Sequence, residues 1–291
     1  MLILSLVILA MVVYTSAMFV VALMPARTHS AATPKTFGVE YERVTLTTED
    51  GLELTGWFIP TTRTTAAVVI GHGYPFDKGN ILPATAFLLR RFNCLYLDFR
   101  AFGESQGKFT TFGYDERKDV AAAMEYLKTR PEVGTGRIGQ YGFSLSASIF
   151  IQANHPDAKA LVADSPFVDF ETMMHDGYRW ARGPLKLPLI WLSKWYGRIF
   201  LKRRAEDASA INAVRDLRFP VLFIHGEQDR QIPPWHSRKL FEACPAAGKE
   251  IWLVPGADHG QAMVVQRTAY QERVTEFFHR YLEAEQEKKT P

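Results

Sequence analysis

An α/β fold with a mostly parallel central sheet and helices on both faces is predicted by two observations. Short apolar or β-branched runs recur at residues 66–70, 93–97, 137–141, 158–163, 221–225 and 250–254, and stretches with helical periodicity separate them at 80–91, 114–130, 145–154, 234–244 and 264–283. Strands covered on both faces read as continuous apolar runs, and parallel neighbours need a crossover that a helix supplies. The 291 residues, 47% of them hydrophobic, suffice for one large core.

Taken in order, the chain opens on an uncharged run from Leu2 to Met24, interrupted only by Tyr14, Thr15 and Ser16 and ended by Pro25. Its length and the lack of a basic residue ahead of it predict an uncleaved transmembrane anchor over residues 1–25 rather than a signal peptide. Arg27, Lys35 and Arg43 follow it, so the positive-inside tendency places the remaining domain on the cytoplasmic side. Residues 26–41 read as a polar linker and 42–291 as the folded domain. That domain starts with a hairpin, because residues 43–60 alternate around Asp50-Gly51. Between the fourth and fifth apolar runs lie about fifty residues, too many for a plain connection. We expect a helical cap at about 166–215. Its aromatic residues Trp180, Trp191, Trp195, Tyr196 and Phe200 interleave with Arg179, Arg182, Lys186, Lys194, Arg198, Lys202, Arg203 and Arg204. Such a cap suits a lid that meets a membrane surface or an anionic head group; an ordinary basic face over core aromatics would read the same way. The net charge of +3 is spread along the chain and suggests no nucleic-acid partner. Cys94 and Cys244 alone make neither a disulfide framework nor a zinc site.

Three segments carry candidate chemistry. Gly142-Phe143-Ser144-Leu145-Ser146 sits between a strand and a helix, the setting of a nucleophile elbow, in which small residues two before and two after the serine let strand and helix approach. Ser146 stands where glycine is usual, and an N-capping serine would look alike in isolation. Asp229 lies on a loop just past the run at 221–225, and His259 follows the run at 250–254, so both fall at carboxyl ends of strands, where open α/β sheets keep their sites. A serine hydroxyl needs a base, and an imidazole base needs a carboxylate to fix its tautomer. Ser144, His259 and Asp229 are therefore the expected nucleophile, base and orienting acid. Asp258 adjoins the base and should point away from it. His225 reads as a core histidine, and His155, His175 and His236 as surface or packing residues. The backbone amides of Tyr74, after His72-Gly73, and of Leu145 are the candidate oxyanion donors, with His72 bracing the loop.

In this order the segments resemble the α/β-hydrolase superfamily over about residues 42–282. The stretch from Leu97 to Ser105 looks like the superfamily's Asp-x-Arg-Gly-x-Gly-x-Ser loop, with Ala101 where glycine is usual. Asp164-Ser165-Pro166-Phe167 and residues 220–226 are similar to pieces of the branch holding Bem-type single-pass membrane hydrolases and serine aminopeptidase or monoacylglycerol lipase-like enzymes. The resemblance implies hydrolysis through an acyl-enzyme with no metal or organic cofactor. Small-molecule or lipid-like carboxylic esters are the expected substrates; amide, peptide or thioester cleavage, acyl transfer and a non-catalytic binding scaffold are the alternatives.

Overall fold

The structure is a computed structural model that describes residues 2–178, 186–202 and 204–283. After the N-terminal helix α1 (Leu2–Leu23), strands β1 (Glu42–Thr47) and β2 (Glu53–Ile59) form the expected hairpin. The remaining strands are β3 (Ala67–Gly71), β4 (Asn93–Leu97), β5 (Ile138–Phe143), β6 (Ala158–Asp164), β7 (Val221–Gly226) and β8 (Glu250–Val254). They build one eight-stranded sheet in the order β1-β2-β4-β3-β5-β6-β7-β8, antiparallel only at β1–β2 and β2–β4. The connections between strands hold α2 (Lys78–Thr85), α3 (Glu116–Thr129), α4 (Leu145–Ala153), α5 (Phe170–Gly177), α6 (Lys186–Tyr196), α7 (Ala210–Ala213) and α8 (Trp235–Ala243), and α9 (Ala262–Val265) and α10 (Arg267–Leu282) follow β8.

Strand periodicity divides the core into two layers. On β3, Val69 joins Val120, Met124, Ile149 and Leu240 on one face, while Val68 and Ile70 join Leu82, Tyr270, Phe277 and Phe278 on the other. Two helix boundaries differ from the sequence expectation for local reasons. The Asp77 carboxylate accepts hydrogen bonds from the Gly79 and Asn80 amides, so α2 begins two residues before the predicted start. The predicted helix 264–283 is broken at Gln266, whose φ of −127° and ψ of 51° are not helical, into α9 and α10.

The expected membrane anchor over residues 1–25 is corrected, and with it the membrane localisation, the membrane as a partner and the cytoplasmic placement of the domain. Among the described residues no helix is long and apolar enough to cross a membrane. The stretch forms α1 and spends one face on the cap. Thr15 is fully buried, Ser16 Oγ lies 2.8 Å from Tyr196 OH, Phe19 rests on Tyr196 and Phe200, and Tyr14 meets Tyr178. The segment read as a linker is bonded along its length: the Arg27 guanidinium donates to the carbonyls of Gly103, Ser105 and Gly107, and the Ser30 amide to Asp77.

Between β6 and β7 the described chain forms α5, α6 and α7. Arg179, Trp180, Arg182 and Arg203, part of the basic and aromatic pattern, lie outside the described residues. Of the others, Tyr196 is buried whereas Trp191, Trp195 and Phe200 are exposed. Lys194 is neutralised by Glu171 at 2.8 Å and Glu206 at 2.6 Å.

Candidate active site

The turn from β5 into α4 holds Ser144 at φ 53° and ψ −108°, in the positive-φ half of the map that L-residues with side chains rarely occupy. Its conformation is over-determined by neighbours. The Ser144 amide donates to the Asp164 carbonyl at 2.7 Å. A Cβ on Gly142 would lie 2.5 Å from the Ala147 backbone, so strand and helix meet there only without a side chain. Ser146 in place of the usual glycine is accommodated from across the sheet, because a Cβ on Gly71 would stand 2.6 Å from the Ser146 Cβ. The bulk present on the helix is missing from β3. Ser146 Oγ also accepts from the Phe143 amide at 2.9 Å, which ties the turn shut.

The structure brings the three residues from separate strand ends together. His259 Nε2 lies 3.1 Å from Ser144 Oγ, and His259 Nδ1 lies 2.7 Å from Asp229 Oδ2. Ser144 is 6% exposed and Asp229 4%, so these bonds form in a site largely shielded from water. The second Asp229 oxygen accepts from the Gln231 and Ile232 amides at 2.9 and 2.7 Å. Burial would raise the Asp229 pKa, but hydrogen bonds from His225 and His259 outweigh it and hold the carboxyl below its ordinary range. A buried carboxylate of this kind orients an imidazole with Nδ1 protonated, leaving Nε2 free to accept the serine proton. Asp258 turns away, accepting from the Arg230 amide.

Two neighbours were given no site role in the sequence reading. His225, read as a core histidine, is buried with Nδ1 2.6 Å from Ser237 Oγ and Nε2 2.7 Å from the Ile232 carbonyl. The same Nε2 is 3.2 Å from Asp229 Oδ2, so one carboxylate oxygen serves two imidazoles. Asp164 is buried beneath the elbow, where its carboxylate accepts from Tyr270 OH at 2.6 Å and Ser165 Oγ at 2.9 Å; burial raises its pKa. Tyr270 OH is also 2.6 Å from Tyr141 OH, which links α10, β5 and β6 directly under Ser144. The available signal for Asp164 was its place at the end of an apolar run, the same signal that marked Asp229.

The loop after β3 lies against the elbow, since a Cβ on Gly73 would be 3.4 Å from the Ser144 Cβ. That puts the Gly73–Tyr74 segment beside Ser144, and Leu145 opens α4, where helix geometry leaves its amide without an intrahelical acceptor. His72 is fully buried and braces this loop: the Phe99 amide donates to Nε2 at 3.2 Å, and Nδ1 donates to the Gly73 carbonyl at 2.9 Å. Burial lowers its pKa, in keeping with a neutral ring of that tautomer. Ala101 takes φ 68° where the resembling loop has glycine. A cavity of about 210 Å³ opens beside Phe143, lined by Gly73, Asp164, Gly260 and Tyr270 among others.

Among the described residues one group of potential metal ligands stands out. Glu125, His155 and Asp157 bring ligand atoms within 4.8 Å of one another. The Lys128 ammonium already bonds both carboxylates at 2.9 Å, and Asp157 precedes β6, at the opposite edge of the sheet from Ser144.

Sheet order, strand-end residues and elbow together define an α/β hydrolase. Residues 106–285, more than half of the chain, match the prolyl oligopeptidase family, and the chain belongs to it. Within the superfamily it is similar to the Bem-type branch: it is 27% identical to protein bem46 of Schizosaccharomyces pombe, over 78% of this chain and 73% of that one. It is 25% identical to the α/β-hydrolase domain-containing protein WAV2 of Arabidopsis thaliana, over 86% and 82% of the two chains. The Pyrococcus furiosus esterase Pf2001 superposes with a TM-score of 0.75 at 29% identity, covering 90% of this chain and 98% of that one.

Proposed function

We propose that the protein is a serine hydrolase that cleaves carboxylic esters through an acyl-enzyme on Ser144. The observation that carries this reading is the hydrogen-bond chain from Ser144 Oγ through His259 to the buried Asp229. Ser144 Oγ attacks the ester carbonyl while its proton passes to His259 Nε2. The negative charge on the carbonyl oxygen is met by the Tyr74 and Leu145 amides. Collapse expels the alcohol, which leaves with the proton from His259 and gives the acyl-serine. Water, deprotonated by His259, then releases the carboxylic acid and restores the serine. The strained elbow favours this use, because it holds the hydroxyl toward the imidazole with little freedom to lose on reaction.

Peptide-bond cleavage by the same three residues is the second reading, favoured by the match to the prolyl oligopeptidase family. Esters are preferred because the esterase Pf2001 resembles the chain over nearly its whole length. Fluorophosphonate labelling of the full chain, with the adduct located by mass spectrometry, tests the chemistry. A phosphonyl group on Ser144 that is absent from Ser144→Ala is expected, and labelling of a folded protein at another serine would overturn the assignment. Turnover of p-nitrophenyl acetate against aminoacyl-p-nitroanilides then decides between ester and amide.

A further inference from the structure

A second cavity of about 210 Å³ lies where α1 meets the cap. Its wall includes Met18, Phe19 and Leu23 of α1, Met173 of α5, and Tyr178 and Phe112. Its polar lining groups are already partnered. Ser193 Oγ lies 2.7 Å from Tyr178 OH and donates to the Leu189 carbonyl, and Lys194 is held by Glu171 and Glu206. A ligand here meets carbon and sulfur, so only an apolar group enters without losing hydrogen bonds to water. The volume falls below the roughly 300–1,000 Å³ that whole small-molecule ligands occupy. The space suits one aliphatic chain, not a complete lipid.

Phe112 connects this cavity to the site. Its ring stacks on Phe170 at 4.2 Å and on Tyr74 at 6.1 Å, and Tyr74 follows the glycine that abuts Ser144. Tyr74 OH in turn donates to the Val21 carbonyl of α1 at 2.6 Å, and the Thr110 amide donates to the Leu23 carbonyl at 2.9 Å. The N-terminal helix thus lines the cavity and holds the loop beside Ser144.

We propose that this cavity receives the aliphatic acyl chain of the ester, and that α1 is its specificity-determining wall. The proposal rests on the hydrolase reading of Ser144. It assigns the chain to the acyl side because that part of the substrate stays on Ser144 after the alcohol departs. It also gives the N-terminal segment a place in substrate selection.

The test uses the full chain with p-nitrophenyl acetate, butyrate and octanoate, and reads the ratio of octanoate to acetate kcat/KM. Ala22→Trp on α1 and Met173→Trp on α5 each fill the cavity, and each is expected to lower the ratio about tenfold or more. Met18→Ala enlarges it and is expected to shift the preferred chain length upward, a gain that misfolding does not produce. Ratios unmoved by filling and by enlargement alike would overturn the proposal. So would a response confined to octyl acetate, assayed beside the nitrophenyl esters, which would put the leaving group in the cavity. Fluorophosphonate labelling of Ser144 in the same proteins reports on the hydrolase reading separately: labelling with an unmoved ratio removes the cavity assignment alone, whereas absence of both labelling and turnover in the unmodified chain removes both.

Discussion

The carboxyl edge of the sheet and the cover formed by α1, α5 and α6 lie next to each other but are held by different forces. At the edge, Asp229 has protein partners on both oxygens, Ser144 is fixed by a backbone bond to Asp164, and Gly71 and Gly142 leave no room for adjustment. In the cover, contacts are mostly between rings and aliphatic chains, and Leu187, Trp191 and Phe200 are each more than 60% exposed. Directional bonds in a dry setting fix angles; apolar contact fixes only proximity. The edge is therefore suited to repeating one reaction geometry, and the cover to accepting differences in what it encloses.

That contrast is broken most severely at the edge. Ser144→Ala is expected to lower kcat for p-nitrophenyl acetate by about four to six orders of magnitude, while circular dichroism stays native. Asp229→Asn should cost about 10⁴-fold in kcat, because an amide facing His259 Nδ1 and His225 Nε2 favours the wrong imidazole tautomer. The same variant gives a pH test. The Asp229 pKa is depressed in the folded protein, so its ionisation contributes stability that is present above the ordinary value of 3.8 and is lost as pH falls through the folded value. The difference in urea midpoint between the unmodified protein and Asp229→Asn should therefore narrow as pH drops below about 4, and a gap constant from pH 7 to pH 3 would contradict it.

Smaller effects sharpen the comparison. Gly71→Ala is expected to destabilise by about 1–3 kcal/mol through overpacking against Ser146, with recovery in the Gly71→Ala, Ser146→Gly double variant, measured by urea denaturation. In the cover, Trp191→Ser should change stability by no more than about 0.5 kcal/mol, since the ring is 66% exposed. A large loss there would mean that the cover is held as tightly as the edge.

The edge was legible in the sequence because its requirements are local. A small residue before Ser144 and loop residues just past apolar runs identify strand ends, and strand ends converge by the geometry of a parallel sheet. The hairpin at Asp50-Gly51 and all six later strands follow from the same short-range patterns. His225 could not be distinguished from a core histidine, because its neighbour Asp229 becomes a partner only when the loop after β7 folds back. The role of Gly71 in accommodating Ser146 was equally invisible, since the two are 75 positions apart in the sequence and touch across sheet and helix. The N-terminal run was misread for a related reason. Tyr14, Thr15 and Ser16 were taken as interruptions of an apolar span, yet Tyr14 meets Tyr178, Ser16 meets Tyr196, and Thr15 between them is fully buried. Three consecutive polar or amphipathic residues in the middle of an otherwise aliphatic helix were the available sign of a protein partner.

The contact between Ser16 and Tyr196 spans 180 positions. During synthesis from the amino end, α1 emerges before any of the surfaces it meets: the loops at Tyr74 and Thr110, then the cap. At ordinary translation rates the interval is on the order of ten seconds or more. Until its end, the face of α1 that carries Thr15, Ser16 and Phe19 lacks its cap partner Tyr196. A segment made before the body of the sheet thus completes its docking only after α6 has been made.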